Sequence, residues 1–236
     1  MTVLRIISIT AFVVLIVQYG LSTIPLESST PRILKVEIRG PIQPSTASYL
    51  ERVIEKADST GSSAVLIELD TPGGMLGPTR KIVTTMMAAR TPIITHVTPS
   101  GARAGSAGTF IVAASHIAAM SPATNIGAAT PVGASGEDLG KTMESKASQD
   151  AAALLRSIAK ERGRDSKSLE STIFQSASFT SEEALTTGMI DLISDNTNTL
   201  LQDVDGFKVT TSSGLVTIQT LQIPIVKFER TMLEKF

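Results

Sequence analysis

Two short stretches constrain the fold of this chain more than any other feature. Ala64-Val65-Leu66-Ile67-Glu68-Leu69 and Pro92-Ile93-Ile94-Thr95-His96-Val97 are apolar almost without interruption. A strand with apolar residues at both odd and even positions is covered on both faces, as in a parallel sheet with layers on either side. Between them, Pro78 to Arg90 sets Ile82, Val83, Met86 and Met87 at helical spacing. A strand, a helix and a second buried strand make a βαβ unit, which is right-handed in nearly all proteins.

The same alternation continues on both sides. Leu34 to Ile38 alternates as a strand and stops at Gly40-Pro41. A helix capped by Ser45 or Thr46 then carries Tyr49, Leu50, Val53, Ile54 and Ala57 and ends at Gly61. Downstream, Ala107 to Ser115 reads as a short helix and Ile117 to Met120 as a fourth strand. Thr142 to Arg162 is a long helix stopped by Gly163. Val132 to Gly140, rich in glycine, serine and acid, is expected to be a mobile loop. Thr180-Ser181-Glu182-Glu183 is a capping box opening a helix that ends at Gly188, and Met189 to Ile193 reads as the last strand. The fold class is α/β.

Three regions follow from this reading. Residues 1–32 are a leader with a linker, 33–205 the folded domain, and 206–236 a tail with two weak strand-like runs and an amphipathic end. In the leader, Arg5 precedes the apolar run Ile6 to Val17, and small and polar residues follow at Gly20 to Thr23. That order is the pattern of a secretory signal peptide. An uncleaved anchor is the alternative, although 12 helical residues span only about 18 Å of a ~30 Å bilayer core. In both cases the domain lies outside the cytoplasm.

Composition removes several function classes. A net charge of −1 provides no basic field for nucleic acid. The absence of cysteine excludes disulfides, a thiol nucleophile and thiolate metal sites. Two isolated histidines do not make a zinc site, so neither metal nor cofactor is expected.

The chemistry concentrates in two turns. Asp70-Thr71-Pro72-Gly73-Gly74 follows a buried strand, at the end where open α/β sheets bind ligands. Consecutive glycines there bring backbone N–H groups close to a reacting oxygen. Gly101-Ala102-Arg103-Ala104-Gly105-Ser106-Ala107-Gly108 places Ser106 at the head of a helix, among small neighbours. A helix N-terminus favours developing negative charge. Ser106 is therefore either a nucleophile or a simple helix cap on spacing alone.

A serine nucleophile needs a base. His116 lies ten residues beyond Ser106, about 15 Å along a continuous helix, and His96 lies inside a strand; both read as structural. A lysine is the remaining option, and Ser-Lys pairs are an established variant. Lys141, Lys146 and Lys160 all follow the glycine-rich loop, and periodicity does not choose among them.

The motifs Asp70-Thr71-Pro72-Gly73-Gly74, Ala104-Gly105-Ser106-Ala107-Gly108-Thr109, Asn125-Ile126-Gly127-Ala128-Ala129 and Ser181-Glu182-Glu183-Ala184-Leu185 occur in this order in one family. Over residues 33–200 the chain resembles the N-terminal protease domain of the NfeD family, membrane-bound serine proteases of the ClpP class. The resemblance implies a ClpP/crotonase-like fold of repeated βαβ units and a serine endopeptidase with a Ser-Lys dyad. It puts the nucleophile at Ser106 and the oxyanion turn at Gly73 and Gly74, with the Ala107 N–H as further donor. Spacing back from Glu161-Arg162-Gly163-Arg164 selects Lys146 as the base. It also implies apolar substrate segments, a stomatin-like membrane protein as partner, a homodimer and a membrane-associated, extracytoplasmic domain.

Two departures accompany the resemblance. Gly105 stands where the family often has alanine, which is expected to loosen the turn. Longer members continue past the position of Phe236 into membrane helices and a small β-barrel, so 206–236 is expected to lead towards the membrane. The competing readings are a crotonase-type acyl-CoA enzyme on the same superfold and a non-catalytic scaffold for a stomatin-like protein.

Overall fold

A computed structural model describes residues 31–133 and 140–235. The leader up to Thr30 and residues 134–139 of the expected mobile loop lie outside the described residues. The two buried stretches are adjacent central strands. The main sheet has six parallel strands in the order β11-β1-β2-β3-β5-β8. They are β1 (Ile33–Arg39), β2 (Ala64–Asp70), β3 (Ile93–Val97), β5 (Ile117–Met120), β8 (Leu192–Ile193) and β11 (Ile225–Lys227).

Period-two alternation divides the core in two, as parallel strands covered on both faces require. Leu34, Val36, Ile38, Val65, Ile67, Leu69, Ile93, Val97, Ala118 and Met120 face one layer. That layer is built by α1 (Pro44–Thr60), α2 (Leu76–Ala88), α3 (Ala107–Ala114), α4 (Lys141–Arg162) and α5 (Ser166–Phe174). The other face, with Ile33, Leu66, Ile94 and Ala119, is closed by Leu200 and Leu201 of α7 (Thr197–Asp203), by Val204 at its C-cap and by Val209.

The caps follow their chemistry. Gly61 and Gly163 end α1 and α4 at φ 62° and 68°, the left-handed conformation that glycine adopts without cost. Thr180 and Glu183 exchange both capping-box bonds, at 3.2 and 2.9 Å, to start α6 (Ser181–Thr186). The start of α1 differs from the sequence expectation. Pro44, with φ already set for a first helical turn, moves the cap back to Gln43, while Thr46 serves as the third helical residue.

Three elements too short for periodicity to reveal form a second sheet. β4 (Arg103–Gly105), β6 (Asn125–Gly127) and β7 (Ser178–Thr180) pair in that order. The stretch from Gly101 is thus partly strand. The last strand expected over Met189 to Ile193 shrinks to Leu192–Ile193, because the Asp191 carboxylate and N–H instead bond Ala118. Residues after 205 also build structure. β9 (Lys208–Thr211) and β10 (Gly214–Thr217) form a hairpin, and β11 adds to the sheet beside β1. Among the described residues, no helix is long and apolar enough to cross a membrane.

Candidate active site

The two turns named by their glycines are zipped together by backbone bonds. As β2 ends, the Thr71 N–H donates to Arg103 O at 2.8 Å, and the Gly105 N–H donates to Thr71 O at 3.0 Å. The turn of Thr71 to Gly74 therefore lies alongside β4, the strand that leads into Ser106. Buried Thr71 holds the turn from within: its Oγ1 lies 3.1 Å from both the N–H and the carbonyl of Gly73.

Absent β-carbons allow this approach. A Cβ on Gly73 would lie 2.6 Å from the Ser106 Cβ and 3.2 Å from its Oγ. One on Gly108 would lie 2.7 Å from Thr71 Cγ2. One on Gly105 would lie 3.0 Å from Pro72 O, so glycine at this departure from the family pattern accompanies a close contact rather than slack.

Ile42, which the sequence reading did not single out, fixes the orientation of Gly74. Its N–H donates to Gly73 O at 2.8 Å, and its carbonyl accepts from the Met75 N–H at 2.9 Å. In such a parallel bridge the middle residue, Gly74, turns its own N–H and C=O away from the partner. Among the described residues, no backbone acceptor takes the Gly74 or Ala107 N–H. The Ser106 N–H is committed to Gly127 O at 2.8 Å, which removes it as a donor to a ligand.

Ser106 has φ 48° and ψ −109°, outside the broadly allowed regions for a residue with a side chain. It occupies the cap position of α3, yet its hydroxyl makes no capping bond. The helix-cap reading that spacing left open therefore fails in its defining feature. A strained serine between a short strand and a helix is the logic of a nucleophile elbow. Ser106 is partly accessible, whereas α3 behind it is buried throughout.

Lys146 is not brought to Ser106 in this way. It lies in the second turn of α4, where residues 141–146 are exposed. The buried stripe of that helix begins at Ser148 and continues through Ala151, Ala152 and Leu155. Lys146 is about half a turn round from Ser148. Among the described residues, no hydrogen bond joins it to Ser106 or to any other side chain. Lys141 is exposed in the first turn, and Lys160 is exposed near the polar end of the same helix.

Both histidines are structural, as expected. His96 is fully buried, with Nε2 3.1 Å from Ser194 O and 3.0 Å from Ser121 Oγ. His116 Nδ1 accepts the Ile93 N–H at 3.0 Å, and burial, reinforced by the Arg162 and Arg164 guanidiniums, pushes its pKa down to about 3. The unfolded chain takes up a proton near pH 6.5 that folded His116 refuses until about pH 3. The stability contributed by neutral His116 is thus complete above about pH 6.5 and is lost as pH falls towards 3. Melting temperatures measured from pH 7 to about pH 4 should fall with pH, and His116→Gln should flatten that slope. His96, also lowered by burial, and carboxyls held below their ordinary range, Glu234 by Arg52 above all, supply the slope that remains. An identical slope in wild type and variant would contradict this assignment.

A six-stranded parallel sheet between two layers, with a strained serine at a helix head clamped against a glycine turn, is the ClpP-like fold. ClpP1 from Listeria monocytogenes shares that fold at TM-score 0.55 and 17% identity, over 70% of this chain and 92% of that one. The chain belongs to the NfeD1b N-terminal domain family, whose model matches residues 32–210.

It is 37% identical over 174 residues to the membrane-bound protease PH1510 of Pyrococcus horikoshii, covering 73% of this chain and 39% of that relative. Two solved structures of the 1510-N membrane-bound stomatin-specific protease superpose closely. A lysine-to-alanine variant with a substrate peptide has TM-score 0.79 and 31% identity, over 87% of this chain and 95% of that one. A serine-to-alanine variant has TM-score 0.78 and 31% identity, over 86% and 99%.

Proposed function

We propose that this domain is a serine endopeptidase in which Ser106 is the nucleophile and Lys146 the general base. The observation that carries the reading is Ser106 itself. It is held in a strained conformation at the head of α3, and its hydroxyl is withheld from capping the helix it heads. The Ser106 Oγ adds to the peptide carbonyl carbon as its proton passes to a neutral Lys146 Nζ. The N–H groups of Gly74 and Ala107 receive the oxyanion, with Gly73 fixing the turn. The C–N bond then breaks as the proton moves to the leaving amine, and water activated by the lysine hydrolyses the acyl ester.

A peptide lying over the exposed start of α4 is proposed to bring Lys146 to Ser106, so that the dyad closes when substrate binds. Catalytic hydrogen bonds are often absent before the Michaelis complex forms. The surroundings suit an apolar segment. Met75 and Leu76, directly after Gly74, are 56% and 40% exposed, and Met143, one turn before Lys146, is 60% exposed. Since the 1510-N relative is described as stomatin-specific and membrane-bound, the substrate proposed here is an apolar segment of a stomatin-like membrane protein. The domain is proposed to act at a membrane on its extracytoplasmic side.

The test is peptide cleavage by wild type and Lys146→Met. The variant should lose at least ~100-fold in kcat. Equal rates would rule out Lys146 as the base.

A further inference from the structure

The three helices that bear the proposed machinery share one polarity. Helix α2 begins two residues after Gly74, α3 begins directly after Ser106, and Lys146 lies near the start of α4. Their N-terminal ends carry the chemistry, and their C-terminal ends lie away from it. Helix ends leave carbonyls without intrahelical partners, and cations are favoured there.

Arg162, in the last turn of α4, gathers those ends together. Its Nε donates to Ala114 O at the end of α3 at 2.9 Å. One terminal nitrogen donates to Met86 O near the end of α2 at 3.4 Å, and the other to Thr210 O at 3.4 Å. Beyond the Gly163 turn, Arg164 reinforces the end of α3, donating to Ala113 O and Ser115 O at 3.1 Å each. It also donates to Met189 O and pairs with Asp191 at 3.0 Å. Arg164 thus ties one helix to the sheet, whereas Arg162 joins the helices of the oxyanion turn, the nucleophile and the lysine.

We propose that Arg162 is a positioning residue for the peptidase chemistry, setting α2, α3 and α4 in mutual register so that the helix starts bearing Gly74, Ser106 and Lys146 keep fixed places relative to one another. This rests on the serine-peptidase reading given above. A lysine supplies charge but not the planar fork that reaches several carbonyls at once. Loss of the fork lets each helix slide on its neighbour, and a shift well under 1 Å at the reacting atoms is enough to slow the reaction.

The experiment measures the labelling rate by a serine-directed phosphonate, together with peptide kcat and KM, for wild type, Ser106→Ala, Arg162→Ala and Arg162→Lys. Circular dichroism checks that each is folded. Both Arg162 variants should lose ~10-fold or more in labelling rate and kcat with KM little changed. Guanidinium ion at non-denaturing concentration should restore part of the rate to Arg162→Ala alone, an effect that simple destabilisation does not produce. Folded variants labelling at the wild-type rate would overturn the positioning role, as would a loss that guanidinium fails to rescue. If Arg162→Ala does not fold, Arg162→Lys decides by its labelling rate alone. Wild type that takes no label while Ser106→Ala behaves identically would instead remove the peptidase reading itself.

Discussion

Ser106→Ala should abolish peptide cleavage, with a loss of at least ~1,000-fold in kcat, while leaving the melting temperature close to wild type. Both halves of that result follow from the local geometry. The hydroxyl makes no capping bond to α3, so its removal breaks no hydrogen bond that stabilises the helix. Alanine keeps the β-carbon and therefore the same strain at φ 48°. Ser106→Gly should separate function from stability further. Glycine enters this region freely, so that variant should be inactive yet more stable by about 1 kcal/mol, offset in part by the greater freedom of its unfolded chain. Thermal melts and cleavage assays on the two variants test the pair of expectations. A marked fall in stability for Ser106→Ala would show that the serine is structural after all.

The second large effect is expected at Gly74. A methyl group there would sit 2.2 Å from Ile42 O and 2.5 Å from Ile42 N, against backbone that cannot rotate aside. Gly74→Ala must therefore push the turn off Ile42, weakening the Gly73 and Met75 bonds at 2.8 and 2.9 Å. The Gly74 N–H would move with it. Loss of one oxyanion donor costs about 100- to 1,000-fold in kcat, and the strain adds a stability loss of about 2–4 kcal/mol. Steady-state kinetics should show the loss in kcat more than in KM, because the donor meets charge that develops only in the transition state. A folded Gly74→Ala with normal kcat would exclude this N–H from the oxyanion site.

The large elements were legible because burial wrote them twice. Ala64 to Leu69 and Pro92 to Val97 are apolar on both faces, and both are strands between layers. Gly61 and Gly163 marked helix ends that do adopt the left-handed turn. The second sheet was not legible, since three-residue strands such as Arg103–Gly105 and Asn125–Gly127 are too short to show alternation. The role of Ile42 was hidden for a different reason. It works through its backbone, and nothing in an isoleucine side chain reports what its N–H and C=O hold.

The site divides in the same manner. Ser106 was visible through its small neighbours, yet only its dihedral angles and uncommitted hydroxyl separate it from a cap. Lys146 came from family spacing rather than helix phase, and it is exposed, half a turn from the buried stripe of α4. Arg162 lies within Glu161-Arg162-Gly163-Arg164, but its bonds to Ala114 and Met86 join residues 48 and 76 positions away. Sequence spacing does not report contacts of that range.

The most direct measurement of the central claim is to map the adduct left by a serine-directed phosphonate on the wild-type protein, using peptide mass spectrometry. A single adduct on Ser106, strongly reduced in Lys146→Met, is the predicted result. No adduct, or one carried on another serine with Ser106 unmodified, would contradict the assignment of Ser106 as the nucleophile.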